Sequence, residues 1–406
     1  EAAEKVGAGG GSDERDVLDL VTRLVEKSLI ALDAGGERYF MLETVRQYAQ
    51  ERLDASQDGE ETRARHLAFY LEFAERARPE LVGPAQGLWL SKLDLELENL
   101  LLAHAWCDRP ECGADTGLRL ASAMKFYWMN RGLLDLGLRV AAEALGRQQA
   151  QVRDLARCRG LFDAGQLTFQ MGQYQDAQRY LDESLAIARE IDDKRAIAAV
   201  LQTLSMAAIG QRDFARARAH VDEALVMARE MGNKREIAGA VNALAMLLRV
   251  DGAPEAAEPL YVEVLTLARE LGDSASIAVA LLNLAMVAMY RGSGGDARGR
   301  LQQALSIAQE TGSRAAGQSV LEVSSGLAAL RGEWERAARF YGAAEGQGAQ
   351  TGIRRDLADE SFLAPLVATT RTTMGTAEFD AAEASGRATA YPEMIAEIRS
   401  WLDSVT

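Results

Sequence analysis

The chain is poor in proline, cysteine and histidine, and each shortage closes off a class of protein. Seven prolines in 406 residues leave few interruptions to helix, and Leu, Ala, Glu, Gln and Arg dominate, so the composition favours helix over strand. Cys107, Cys112 and Cys158 are too few, and odd in number, for a disulfide framework, which agrees with a reducing compartment. His66, His104 and His220 stand far apart in sequence and indicate no histidine-based catalytic set. No run of 18 or more apolar residues occurs, and the N-terminus lacks the basic, apolar and small-residue succession of a signal peptide. The expected location is therefore cytoplasmic. Cationic residues are outnumbered: the formal net charge is -15, which argues against an extended nucleic-acid surface, because neutralising phosphates needs clustered Lys and Arg. The length suggests two or three domains. The first residue is Glu1 rather than Met, so the chain is expected to be part of something longer.

What the chain has in abundance is repetition. The stretch EALVMAREMGNKREIAGA (223–240) is echoed by ESLAIAREIDDKRAIAAV forty residues earlier, and by EVLTLARELGDSASIAVA and QALSIAQETGSRAAGQSV at forty and eighty residues later. Alignment at this period turns scattered residues into columns. One is Ala177, Ala217, Ala257, Ala297 and Ala337; a second is Leu161, Leu201, Val241, Leu281 and Leu321; a third holds small residues only, Gly165, Ser205, Ala245, Ala285 and Ser325. Glycines recur in two sets of turns, Gly172, Gly252, Gly292 and Gly332 in one and Gly232, Gly272, Gly312 and Gly352 in the other. Two apolar-periodic segments of about 15 residues, each closed by a residue suited to the left-handed helix C-cap, make a helical hairpin. The small column lets its helices approach closely. Such a hairpin cannot bury both faces alone, so copies stack into a solenoid with a concave face.

Leu201, Leu204, Ser205, Ala208, Ala217, Val221 and Ala224 fall on the spacing of the tetratricopeptide repeat, and the next copy matches at Val241, Leu244, Ala245, Leu248, Ala257, Tyr261 and Val264. The period is 40 rather than the usual value of about 34, so the array resembles the longer-helix variant found in bacterial regulators. The frame gives about six repeats over 116–352, the first degenerate with Lys125 in the small column and the sixth with Ser324 where Leu is expected. The expected fold is all-α: a right-handed superhelical tetratricopeptide-repeat solenoid with a small N-terminal winged-helix-like segment at 1–56. A helical connector at 57–115 and a C-terminal helical cap at 353–406 complete the division.

Ahead of the repeats, residues 1–14 are rich in Gly and charge, as a loop would be. DVLDLVTRLVEKSL follows as an amphipathic helix with Val17, Leu18, Leu20, Val21, Leu24 and Val25 on its apolar side. LIALDAGGERYFML alternates around an Ala-Gly-Gly turn and reads as a β-hairpin, and ETVRQYAQERL is a further helix. VLDLVTRLVEKSLI and RYFMLETVRQYAQERL resemble the winged-helix segment of STAND-type signalling ATPases, the class that holds the bacterial maltose-regulon activator, LuxR-type regulators and many antibiotic regulators. ETRARHLAFYLEFAERA and GPAQGLWLSKLDLELENLLLAHAW are similar to the connector of that class, and the tail from RAARFYGAAEG onward to its closing segment. The resemblance implies a sensor or regulatory arm attached to an upstream ATPase. The phosphate-cradling GxxxxGK[ST] loop of that ATPase is absent from these residues, and where related ATPases carry a nucleotide-touching Met-His-Asp triplet this chain has Met41, Leu42 and Glu43. Up to Asp54 there are twelve acidic and seven basic residues, so the wing is expected to pack within a larger ATPase rather than read DNA.

Three stretches imitate chemistry. Gly292 to Ala297 (GSGGDA) fits a dinucleotide fingerprint on paper, but the motif needs a preceding strand, and here the repeat helix LLNLAMVAMYR precedes it. His104, Cys107 and Cys112 offer three metal ligands where a structural zinc usually takes four. Carboxylates such as Glu183, Glu223 and Glu263 fall at solvent-facing helical positions, with nothing marking a paired acid and base. No cofactor or metal is expected, and the chain reads as a non-enzyme.

If the first helix of each repeat lines the concave face, as in the family, its inward positions follow from the register. Phe126, Gln166, Met206, Met246 and Met286 form one column; Phe162, Gln202, Asn242 and Leu282 a second; Met129, Phe169, Ile209, Arg249 and Met289 a third, with Tyr290 beside them. Three methionines at fixed period make a deformable apolar stripe, open groove or buried core. Gln202, Asn242 and Arg249 supply polar groups to fix a ligand. The expected partner is a peptide or protein, or a small-molecule inducer, held in this groove; direct nucleic-acid binding and membrane contact are not expected. A free-standing scaffold joining two proteins is the alternative, favoured by a long open groove where one enclosed pocket favours a sensor. On the sequence alone, Met246→Glu abolishes partner binding while helicity measured by circular dichroism persists; unfolding instead points to core.

Overall fold

A left-handed residue followed by a capping residue marks where each helical hairpin stops and the next begins. Gly232, Gly272 and Gly312 have φ of 63°, 63° and 64°, a region that costs a side chain about 1–2 kcal/mol. The residue that follows each of them, Asn233, Asp273 or Ser313, accepts a backbone N–H of the next helix's first turn, a contact worth about 1 kcal/mol. Asp192 (φ 54°) holds the equivalent turn without glycine, and Arg212 (φ 62°) does so at a turn inside a hairpin.

The computed structural model describes residues 1–9, 13–33, 38–109, 113 and 115–404. Helices α1 (Ala2–Gly7) and α2 (Glu14–Glu26) lead to strands β1 (Ala31–Leu32) and β2 (Tyr39–Phe40), paired antiparallel with Ala31 opposite Phe40. Helix α3 (Glu43–Asp54) follows, then α4 (Gly59–Glu80) and α5 (Gln86–Trp106). The Ala-Gly-Gly turn lies outside the described residues. Two readings of this region need correction. Residues 2–7 are helix rather than loop, because the Ala-Ala-Glu-Lys run propagates helix well and Arg65 Nε of α4 donates to Val6 O at 3.0 Å. On α2 only Val17 is buried, whereas Leu18 and Leu20 are 48% and 49% exposed, since the inward side follows Val17, Val21 and Leu24 at helical spacing.

Helices α6 (Thr116–Ala123) and α7 (Lys125–Arg131) break at Met124, and α8 (Leu134–Gly146) leads into a 3-10 turn (Gln148–Gln151). Five regular hairpins then follow: α9 (Leu155–Gln170) with α10 (Tyr174–Glu190), α11 (Lys194–Gly210) with α12 (Phe214–Met231), α13 (Lys234–Val250) with α14 (Pro254–Leu271), α15 (Ser274–Tyr290) with α16 (Gly294–Thr311), and α17 (Arg314–Leu330) with α18 (Trp334–Thr351). They stack as a right-handed superhelical solenoid. The alanine column is buried throughout, and it sits against the small column of the paired helix. Ser205 Oγ donates to Ala217 O at 3.0 Å and Ser325 Oγ to Ala337 O at 2.8 Å, so the two columns are in direct contact.

The superhelix comes round far enough for its ends to meet. α5 touches α16 and α7 touches α17; Arg131 Nη1 donates to Gly312 O at 2.7 Å, and Arg354 N to Gln170 O at 2.8 Å. After α18 the chain crosses this junction and enters α19 (Leu357–Met374), which packs inside the turn against α13 and α17. α20 (Thr376–Ala388) and α21 (Tyr391–Ser404) close the last repeat from outside. α18 and α20 meet through reciprocal glycines: a Cβ on Gly342 would sit on the Glu383 carbonyl oxygen, and one on Gly386 on that of Arg339. Gly342→Ala therefore lowers stability by about 1–3 kcal/mol through overpacking against backbone. Urea unfolding measures this, and an unchanged midpoint would mean that α20 does not dock there.

Candidate ligand cavity

The inner helices α7, α9, α11, α13, α15 and α17 surround a central cavity of about 890 Å³. Their repeat register sets its wall in rings. Phe162, Gln202, Asn242, Leu282 and Glu322 form one, and Phe126, Gln166, Met206, Met246 and Met286 the next. Of the fifteen residues expected to point inward, eleven line the cavity: Phe126, Met129, Phe162, Gln166, Phe169, Gln202, Met206, Asn242, Met246, Leu282 and Met286. Ile209, which packs with Ala358, Arg249, Met289 and Tyr290 do not. They lie where α19 fills the turn: Arg249 pairs with Asp359, Met289 joins the core that includes Phe362 and Leu363, and Tyr290 meets Phe362 at 5.5 Å between ring centres. The Met stripe is thus wall rather than open groove, since Met246 and Met286 are only 4% and 1% exposed while Met206 is half-buried.

Polar groups run through the wall in two chains. Lys125 Nζ reaches Asp163 Oδ1 at 3.0 Å and donates to Gln166 Oε1 at 2.8 Å, and Gln166 Nε2 donates to Thr203 Oγ1 at 3.3 Å. Burial lowers the Lys125 pKa against the opposing pull of Asp163. On the other side Asn283 Nδ2 donates to Asn242 Oδ1 at 3.5 Å, and Arg249 Nη1 to Asn283 Oδ1 at 2.9 Å. Gln202 and Asn242 donate to the sulfurs of Met206 and Met246 at 3.3 and 3.5 Å. Thioether sulfur is a weak acceptor, so these amides are held in place without being strongly engaged.

The floor was not visible as a site in the sequence. Segment 353–359 carries no repeat signal, yet it contributes Ile353, Arg354, Arg355, Asp356 and Asp359 to the lining. Arg355 faces Glu322 at 3.3 Å, Glu345 at 2.8 Å and Glu360 at 2.6 Å. Burial raises the Glu322 carboxyl to about 7 despite Arg355. Desolvation and neighbouring Asp359 also raise Asp356, with Arg249 acting against them.

The imitations of chemistry fall elsewhere. Gly292 to Ala297 spans the turn after α15 and the first residues of α16, with helix rather than strand before it. His104 is buried, and desolvation followed by Arg147 lowers its pKa to about 4. Cys107 is buried with its sulfur 3.4 Å from Ala103 O, and Cys112 lies outside the described residues. Among the described residues no group of three His, Cys, Asp or Glu is placed to hold a metal, and no helix is long and apolar enough to cross a membrane. Glu183 and Glu223 pair with Arg157 and Arg189, each at 2.8 Å.

The tetratricopeptide-repeat family model matches residues 158–230, and the model described as anaphase-promoting complex subunit 5 matches 268–324. Curated relatives from Mycobacterium bovis and Mycobacterium tuberculosis, each named "Putative HTH-type transcriptional regulator", are 32% identical over 209 residues. That match covers 49% of this chain and 23% of theirs, so the chain spans under a quarter of their length. Among solved structures, the Rap protein complexed with Competence and Sporulation Factor aligns over 84% of this chain and 99% of its own, at 16% identity and a TM-score of 0.50, a likeness of fold.

Glu322 gives the cavity a pH signature. Its folded pKa lies above the unfolded value, so the stability it contributes is full below about pH 4.5 and is lost as pH rises through about 7. Glu322→Gln removes that loss. Its melting temperature relative to the native chain rises between pH 5 and pH 8, by an amount equivalent to about 1–3 kcal/mol; a pH-independent difference would refute the buried, protonating carboxyl.

Proposed function

We propose that this chain is the non-catalytic sensing arm of a larger regulator, of the STAND type or a related transcriptional regulator, and that it holds a short peptide in its central cavity. The carrying observation is the cavity itself: a partly enclosed central space of about 890 Å³, walled by apolar Met and Phe side chains and by lightly engaged amides. That size lies in the range typical of ligand sites. Gln202, Asn242 and Asn283, offered by successive inner helices, suit a polypeptide backbone, which presents donors and acceptors at regular intervals. The kinship over half the chain with mycobacterial HTH-type regulators supports a regulatory setting. Because the superhelix closes on itself, it offers no long open groove for an extended partner, which favours a sensor over a scaffold.

A bound peptide bears on two contacts that fix the ring. On the floor it meets the layer in which Arg249 ties α13 to Asp359 of α19; at the junction it lies beside α7, whose Arg131 holds Gly312. Occupancy thereby alters how tightly first and last repeats meet.

The test uses the whole chain and a random heptapeptide pool bearing a neutral dye, read by fluorescence anisotropy. Met206→Glu and Asn242→Leu each weaken binding about tenfold, equivalent to about 1.4 kcal/mol, with unchanged circular dichroism. Met206 replaces Met246 here because a Glu at the more buried Met246 confounds binding with folding. Hydrogen exchange in α19 slows on binding. Absence of binding sinks the peptide reading, binding that both variants leave unaltered moves it to another surface, and unaltered exchange favours a passive scaffold.

A further inference from the structure

The chain is strongly acidic, with a net charge of -15, yet the cavity wall carries seven cationic side chains against six carboxylates. The two signs differ in how they are occupied. Every lining carboxylate is engaged. Glu236 pairs with Arg195, Asp273 with Arg235, Glu322 with Arg355 and Asp359 with Arg249, while Asp193 and Asp356 cap α11 and α19. Three lining guanidinium groups, those of Arg78, Arg159 and Arg354, have no hydrogen-bond or ion-pair partner among the described residues. Lys125 does not compensate in the opposite sense, because Asp163 already neutralises it.

The three are spread around one helix. Arg159, Phe162, Gln166, Phe169 and Gln170 recur along the cavity face of α9, with Arg159 near its start. Arg354 lies at its end, where its backbone N–H holds Gln170 O at 2.8 Å. Arg78, from the end of α4, is close enough to the Lys125 ammonium to lower its pKa, and Lys125 bonds Gln166 midway along α9. Arg159 and Gln170 are about 16 Å apart at 1.5 Å per residue, a span that an extended peptide of about five residues covers at roughly 3.3 Å each.

Resting on the peptide reading above, we infer that the cavity selects an anionic peptide whose carboxylates are bound by Arg78, Arg159 and Arg354. A guanidinium presents a planar fork of donors that matches a carboxylate in two parallel hydrogen bonds. Arg159 and Arg354 are exposed and Arg78 is half-buried, so these pairs form at a hydrated face of the cavity and are sensitive to salt.

Four neutral-dye heptapeptide pools test this on the whole chain: Asp and Glu fixed at two positions, or Asn and Gln at the same positions, each with a free or an amidated C-terminus. The acidic pools bind about tenfold more tightly than their amide counterparts, and raising salt from about 0.05 to about 0.5 M erodes that preference. Arg78→Gln, Arg159→Gln and Arg354→Gln each reduce affinity for the acidic pools several-fold and leave the side-chain-amide, amidated pool unaffected, a pattern that general misfolding does not produce. A gain confined to free C-termini assigns the anion to the terminal carboxylate, and a gain that survives amidation to side chains. Equal binding of acidic and amide pools overturns the anionic inference while leaving the peptide cavity standing; failure of all four pools overturns both.

Discussion

Everything in this molecule depends on the close approach of paired helices at the alanine and small-residue columns. Ala177, Ala217, Ala257, Ala297 and Ala337 are all buried, and at two of the five crossings a serine hydroxyl reaches the facing alanine's carbonyl oxygen. With only small side chains between them, the backbones pack closely, hairpin after hairpin. Each hairpin then leaves the same apolar faces for its neighbours, and the array grows with a fixed rotation per repeat.

That constancy frees the inner face from stacking. The second helices carry much of the solvent boundary, the columns carry the packing, and the inward positions of α9, α11, α13, α15 and α17 retain licence to vary. They show phenylalanine, methionine, amide and charge within one register, where the stacking columns allow little beyond Gly, Ala, Ser, Leu and Val. Several polar groups placed there find partners on neighbouring inner helices, such as Asn242 with Asn283 or Gln166 with Thr203. A buried polar group without such support costs about 1–3 kcal/mol. The wall therefore combines access and cohesion: amides that face the cavity also tie adjacent repeats together.

Much of this was legible beforehand. The period of 40 placed the hairpins, and the inward columns named eleven of the residues that line the cavity. The errors share a cause. Arg249, Met289 and Tyr290 were assigned to the groove because the register points them inward, but α19 lies against them, and a segment outside the repeat leaves no periodic mark of its target. Leu18 and Leu20 were placed on an apolar side that the structure leaves exposed, because hydropathy in a short helix does not say which flank a neighbour covers. Arg159 was within reach: it lies three residues before Phe162 on the same helical face. Arg78 and Arg354 were not, since α4 and the 353–359 crossing join the wall only after the solenoid has turned.

The sequence by itself determined the unit: two helices per 40 residues, the left-handed turns and caps that end them, and the faces on which units stack. These are consequences of local propensity and of nearest-neighbour contacts, which repeat because the sequence repeats. Tertiary structure alone decided that the array closes. Closure sums a small rotation over every repeat until α5 and α7 meet α16 and α17, and no single repeat encodes that sum. From closure come the partly enclosed cavity, the floor supplied by α19, and the gathering of Arg78, Arg159 and Arg354 around one helix, residues that lie far apart along the chain.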